Sequence, residues 1–170
     1  GTDRLGRDMF ARVVQGARVS LSIGLFTSLG SLIIAVIFGS LAGYYGGKTE
    51  TLILRIVDVF MCIPSILLSL AVVAALGPNM INLLIAMMIS AVPGKIRLIH
   101  SVILSVGDQE YVDAARVYGC SDARIIFKYI LPNALGVIIV DTTMGIAGTI
   151  LGAASLSFIG MGIQPPAPEW

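Results

Sequence analysis

Charge is what this sequence has least of. Asp, Glu, Lys and Arg make up 12% of its 170 residues, about half of the roughly 25% that keeps a soluble domain's surface wet. That shortage excludes an ordinary water-soluble domain. A net charge of +1 supplies no basic footprint for nucleic acid. The two cysteines, Cys62 and Cys120, lack CxxC spacing and read as small apolar fillers rather than a metal framework. The single histidine, His100, cannot form a His-rich metal site and reads as an interfacial anchor beside Arg97. No HExxH, paired acid or Ser/His pair lies within the apolar runs, which speaks against an intramembrane enzyme. No GxxxxGK[ST] loop is present either, so any ATP and Mg must be used by another protein. No Met opens the chain and no signal peptide with a cleavage site follows. It begins in GTDRLGRD and stops in PPAPEW, which reads as an internal piece of a longer protein.

What remains is apolar. Hydrophobic residues reach 56% and the mean hydropathy is +0.94, so the fold class is all-α, a polytopic transmembrane helical bundle in a lipid bilayer. A helix needs about 20 apolar residues to cross the roughly 30 Å hydrocarbon core. Val19–Gly43 is the first predicted span. Val59 to Gly94 is also charge-free, but as one helix it would rise on the order of 54 Å. Gly77-Pro78-Asn79 inside it is a turn signal, giving a helical hairpin with spans at Val59–Leu76 and Met80–Pro93. The latter borrows residues up to Leu98, with Lys95 and Arg97 snorkelling. A fourth span is predicted from Ala134 to Ile163. Four spans leave Arg4, Arg7, Arg12 and Arg18 on one side. Lys48, Arg55, Lys95, Arg97, Arg116, Arg124 and Lys128 fall on the other, which the basic excess makes cytoplasmic.

One polar, helix-forming island interrupts the apolar runs: Glu110 to Asn133, EYVDAARVYGCSDARIIFKYILPN. Asp108 is a good N-cap residue and Ser105-x-x-Asp108 has capping-box spacing. Gly119 suits a left-handed helix end, Ser121 can cap a second helix, and Pro132 marks the return towards the membrane. Tyr111, Ala114, Ala115 and Tyr118 fall at i, i+3, i+4 and i+7 and share a face. Two alanines between two tyrosines make a shallow notch, a docking surface in the cytoplasm. The plainer alternative is an amphipathic loop lying on the headgroups.

These residues resemble the EAA loop of the permease subunits of ATP-binding-cassette importers. That pattern runs Glu-Ala-Ala, three residues, Gly, nine residues, Ile-x-Leu-Pro. Here it is Asp113-Ala114-Ala115, Gly119, Tyr129 and Leu131-Pro132, with Asp113 in place of Glu and Tyr129 in place of Ile. The resemblance implies a coupling helix that sits in a groove of the ATPase subunit, with Glu110, Tyr111, Asp113, Ala114, Ala115, Tyr118, Gly119, Ser121, Leu131 and Pro132 forming the loop. Further segments are similar to the dipeptide, oligopeptide and nickel group of these permeases. They are Gly1-Thr2-Asp3, Leu5-Gly6-Arg7-Asp8 and Gly16-Ala17-Arg18-Val19-Ser20-Leu21, then Ser155-Leu156-Ser157-Phe158-Ile159-Gly160-Met161-Gly162 and Gln164-Pro165-Pro166-Ala167-Pro168-Glu169-Trp170. Membership would imply a six-span subunit of a bacterial or archaeal cytoplasmic membrane, here lacking its first and last spans. It would also imply a heterodimer with a second, related permease and an external substrate-binding protein. Small peptides are the expected cargo, with nickel or another small solute as the alternative, and a non-transporting scaffold as a third reading. Relatives often carry an acid a few residues before Ser-Leu-Ser-Phe; Gly152 and Ala153 stand there in this chain, so no role passes to it.

The remaining readings are local. Residues 1–18 form an external segment in which Phe10, Val13, Val14 and Ala17 make a short amphipathic interfacial helix, either a plain lead-in or an elbow against a partner. Residues 19–163 form the membrane domain, with the coupling loop at about 105–133, and residues 164–170 an external loop. Gly39-x-x-x-Gly43 and Gly148-x-x-x-Gly152 suit close helix packing. Pro64 bends the second span beside Ser65 and Ser69, either lining a pathway or passively kinked. Asp141 is the sharpest intramembrane residue; with Pro64, Ser65 and Ser155 it is a candidate pathway or inter-subunit residue. Hydrogen bonding to Thr142 or Thr143 is its blander account.

Overall fold

A computed structural model describes residues 1–3, 6–163 and 167–170. Arg4, Leu5, Gln164, Pro165 and Pro166 of the motifs above lie outside the described residues. Among the described residues every regular element is helical: α1 (Met9–Tyr45), α2 (Gly47–Met61), α3 (Ser65–Leu76), α4 (Met80–Gly107), α5 (Glu110–Val117), α6 (Asp122–Arg124), a π-helical turn (Ile125–Ile130) and α7 (Leu131–Phe158). Three helices among the described residues are long and apolar enough to cross a membrane: α1, α4 and the continuous run Asp122–Phe158. The pair α2 and α3 passes the same test together, which gives up to four spans.

Several boundaries differ from expectation, each for a local reason. α1 starts at Met9 because Asp8 accepts a hydrogen bond from the Phe10 amide at 2.9 Å, satisfying an orphan donor. Phe10–Ala17 is thereby the first part of the spanning helix instead of a separate short one. The second predicted span is two helices. Pro64, whose nitrogen carries no hydrogen, stands at the N-cap of α3 and its carbonyl accepts from the Leu68 amide at 3.0 Å. It thus starts a helix where a bend within one was expected, and α3 alone, at 12 residues, rises only about 18 Å. The third runs on through Pro93 to Gly107 instead of ending near Leu98.

The chain divides into two compact units. The first comprises residues 1–30, 63–91 and 143–170. Its core is Ile23, Val73, Leu83, Ala86, Met87, Ala153 and Leu156. Gly24 lets α1 press on α7: a Cβ there would lie 2.9 Å from a methyl of Ile146. At its end, Trp170 donates its indole N–H to the Val13 carbonyl at 2.9 Å.

The second unit comprises residues 31–62 and 92–142. Its core joins Ala35, Val57, Ile96, Ile99, Ile103, Val112, Ala115, Ile125, Ile130, Ala134 and Ile138. The Gly39-x-x-x-Gly43 pair closes α1 onto α4 here. A Cβ would meet Ile99 Cβ at 2.7 Å from Gly39, and Ile103 Cβ at 2.9 Å from Gly43. Close approach is thus what those two glycines supply.

Candidate functional site

The polar island folds on top of the second unit's core. Glu110 and Asp113 in the first turn of α5 and Arg116 in the last complement its dipole. The N-cap position falls on Gln109, one residue past the expected Asp108, and makes no side-chain capping bond. Val112 and Ala115 turn inward and are buried. Tyr111, Ala114, Val117 and Tyr118 remain exposed; Val117 and Tyr118 each keep 87% of their surface open. The alanine pair is therefore split. Ala115 belongs to the core and only Ala114 lies between the tyrosines, because one turn cannot both seat on a core and present both alanines.

The helix ends as a Schellman motif. Gly119 adopts φ +75°, its amide reaches the Arg116 carbonyl at 3.0 Å, and the Cys120 amide reaches Ala115 at 3.1 Å. Ser121 holds the next N-cap position, though without a side-chain bond. The chain then passes through Pro132 without leaving the helix, against the expectation that proline closes the loop. A proline removes one helical hydrogen bond and crowds the carbonyl four residues back. The wider π turn over Ile125–Ile130 immediately precedes it. Asp122–Phe158 is consequently one helical run leading out of the polar island.

Side chains far apart in sequence brace the loop. Tyr44, at the end of α1, donates its hydroxyl to Asp122 Oδ1 at 2.9 Å. The Arg116 guanidinium lies 5.5 Å from the centre of the Tyr44 ring and bonds Asp113 Oδ1 at 2.8 Å. Its pKa is raised above the ordinary arginine value, first by Tyr44, with partial burial acting against and Asp113 adding. Asp113, the residue in the family's Glu position, thus pairs within its own helix.

Below the loop, three basic residues of α4 each meet an acid on another helix of the same unit. Lys95 Nζ sits 2.6 Å from Asp141 Oδ2, Arg97 bonds Asp58, and His100 Nε2 lies 2.9 Å from Glu50 Oε1. The first unit holds a cleft of about 290 Å³ lined by hydroxyls and small residues, among them Ser65, Ser69, Ser90, Gly148 and Thr149. Ser69 donates to Ser90 Oγ at 2.8 Å across it. The lining includes Met87 and no charged side chain.

Residues 35–170 match the family described as binding-protein-dependent transport system inner membrane component. The chain belongs to this family. It is 49% identical over its full length to a dipeptide transport system permease protein of Alkalihalophilus pseudofirmus. It is 42% identical to a di/tripeptide transport system permease protein of Pseudomonas aeruginosa, and 44% to a glutathione transport system permease protein of Pectobacterium atrosepticum. All of this chain is covered in each case, and it spans 56% of the length of each relative.

In this inner membrane component the expected loop residues fall together on one structure. Glu110, Tyr111, Asp113, Ala114, Tyr118, Gly119 and Ser121 lie at its surface, while Ala115 is buried and Leu131 packs against the core. Each expected pathway residue has its own local setting. Ser65 lines the cleft, Pro64 starts α3, and Ser155 donates to its own helix at Leu151. Asp141 is neither alone nor bonded only to its neighbours, since Lys95 faces it. Lys95 itself is only 8% exposed, so the expected snorkelling gives way to a half-buried ion pair with the more open Asp141. Tyr44 and Asp122 were absent from the candidate residues; 78 positions separate them, and only the doubled tyrosine before Gly46-Gly47 hinted at a packing role.

Proposed function

We propose that this chain is membrane-spanning permease sequence of an ATP-binding-cassette importer, and that small peptides are its cargo. The single observation that carries this reading is the short helix α5, closed at Gly119 by its Schellman motif. It buries Val112 and Ala115 and offers Tyr111, Ala114, Val117 and Tyr118 outward. An exposed aromatic and apolar strip on a short polar loop is a surface that protein partners use. A separate ATPase seats there, hydrolyses ATP with Mg, and moves α7 through the unbroken run from Asp122. The chain itself performs no catalysis. A second related permease and an external binding protein complete the assembly in the cytoplasmic membrane.

Peptide is preferred over nickel on two grounds. The relatives are named for dipeptide, di/tripeptide and glutathione transport, and the cleft offers hydroxyls suited to amide groups. The test uses the full-length subunit in its native complex. Ala114→Glu and Gly119→Glu are each expected to abolish co-purification of the ATPase and uptake of radiolabelled dialanine, leaving membrane insertion intact. Normal ATPase recruitment by both variants would sink the coupling assignment. An effect of deleting the complex on nickel uptake alone would refute the peptide cargo.

A further inference from the structure

We infer that Tyr44 is a positioning residue that sets the angle of the coupling loop by bridging both arms of its glycine hinge. The inference rests on the coupling role proposed above for α5. Gly119 is the hinge, its φ of +75° leaving the α5 cap and the next helix joined by the short link Gly119-Cys120-Ser121. Arg116 lies three residues before that glycine and Asp122 three after. Tyr44 touches both: its ring receives the Arg116 guanidinium at 5.5 Å, and its hydroxyl donates to Asp122 at 2.9 Å.

Each end of this bridge is anchored. Arg116 is held from its far side by Asp113 at 2.8 Å. Tyr44 stands on the last turn of α1, whose lower stretch is locked to α4 at Gly39 and Gly43. The chain then turns sharply through Gly46 and Gly47, both with positive φ. The Tyr45 ring meets the Tyr44 ring edge to face at 5.2 Å. A push on α5 is therefore resisted at Tyr44 and passed through Asp122 into the helix that becomes α7. Without the phenol hydroxyl, the two arms keep the glycine link and the packing of Val112 and Ala115 in one core with Ile125 and Ile130, and the polar tie from Tyr44 to Asp122 is lost.

The experiment compares full-length wild type, Tyr44→Phe, Asp122→Ala and the double variant, each assembled with its ATPase in proteoliposomes. Tyr44→Phe keeps the ring and removes only the hydrogen bond. Amide hydrogen exchange over residues 119–125 is expected to quicken about three- to ten-fold in either single variant. The double variant should be no worse than the worse single one, because both remove one interaction. Uptake of radiolabelled dialanine per ATP hydrolysed should fall by a similar factor while the ATPase still co-purifies. Unchanged exchange in both single variants, additive effects, or unchanged uptake per ATP would overturn the bridge. Loss of ATPase co-purification would also overturn it, making Tyr44 part of the contact surface. Failure of the coupling reading shows separately, as undiminished ATPase recruitment by Ala114→Glu.

Discussion

At the residue scale the strongest constraint is the pair Lys95 and Asp141. The lysine side chain keeps 9% of its surface exposed and the aspartate 38%. Removing one member of a buried pair strands the other, and the cost follows how deeply the stranded charge is held. Asp141→Leu, which strands Lys95, should lower stability by about 2–4 kcal/mol, and Lys95→Met by about 1–2 kcal/mol. The double variant should recover most of the loss. Thermal unfolding in detergent checks this, and a double variant whose loss equals the sum of the two single losses would show that the pair carries no energy. The pair could not be read from the sequence. Hydropathy marks Asp141 as costly, but 46 residues separate it from its partner, and Lys95 looked able to reach the interface.

Between elements, glycines decide which helices touch. Gly39→Ala and Gly43→Ala force a Cβ into Ile99 and Ile103 of α4 and should each cost about 1–3 kcal/mol. Gly148→Ala meets no atom within 4 Å and should be neutral in the same unfolding assay. A neutral Gly39→Ala would contradict the packing described for α1 and α4. Gly119→Ala places a side chain at φ +75° and should cost about 1–2 kcal/mol, read as loss of helical protection over α5 by hydrogen exchange.

The same scale shows what was legible. Apolar length marks α1 and the return from Gly77-Pro78-Asn79 into α4, because a bilayer imposes one length on every span. The helix end at Gly119 is legible because only a glycine tolerates that φ cheaply. The break before α3, the passage of α7 through Pro132 and the inward turn of Ala115 are not. Proline can start, kink or ride within a helix. Which one occurs depends on neighbours such as the π turn over Ile125–Ile130, not on the local string.

For the whole molecule, the low charge content and up to four spans describe a chain that works inside lipid. Large apolar side chains such as Ile33, Met144 and Leu151 remain more than 60% exposed. Lipid tails or neighbouring helices, not water, solvate such a surface. Against that surface, the α5 loop has chemistry that suits a water-borne partner, proposed above to be an ATPase. Site-specific photo-crosslinking tests this most directly. A photoreactive side chain is placed at Ala114, Val117 or Tyr118 of the full-length subunit, and, as a control, at Asn79 in the α3–α4 turn, for which the basic-residue count predicts the other side of the membrane. Covalent adducts with the ATPase are expected from the three α5 positions and none from Asn79. Absence of adducts from all three, or equal capture from Asn79, would contradict the proposed docking.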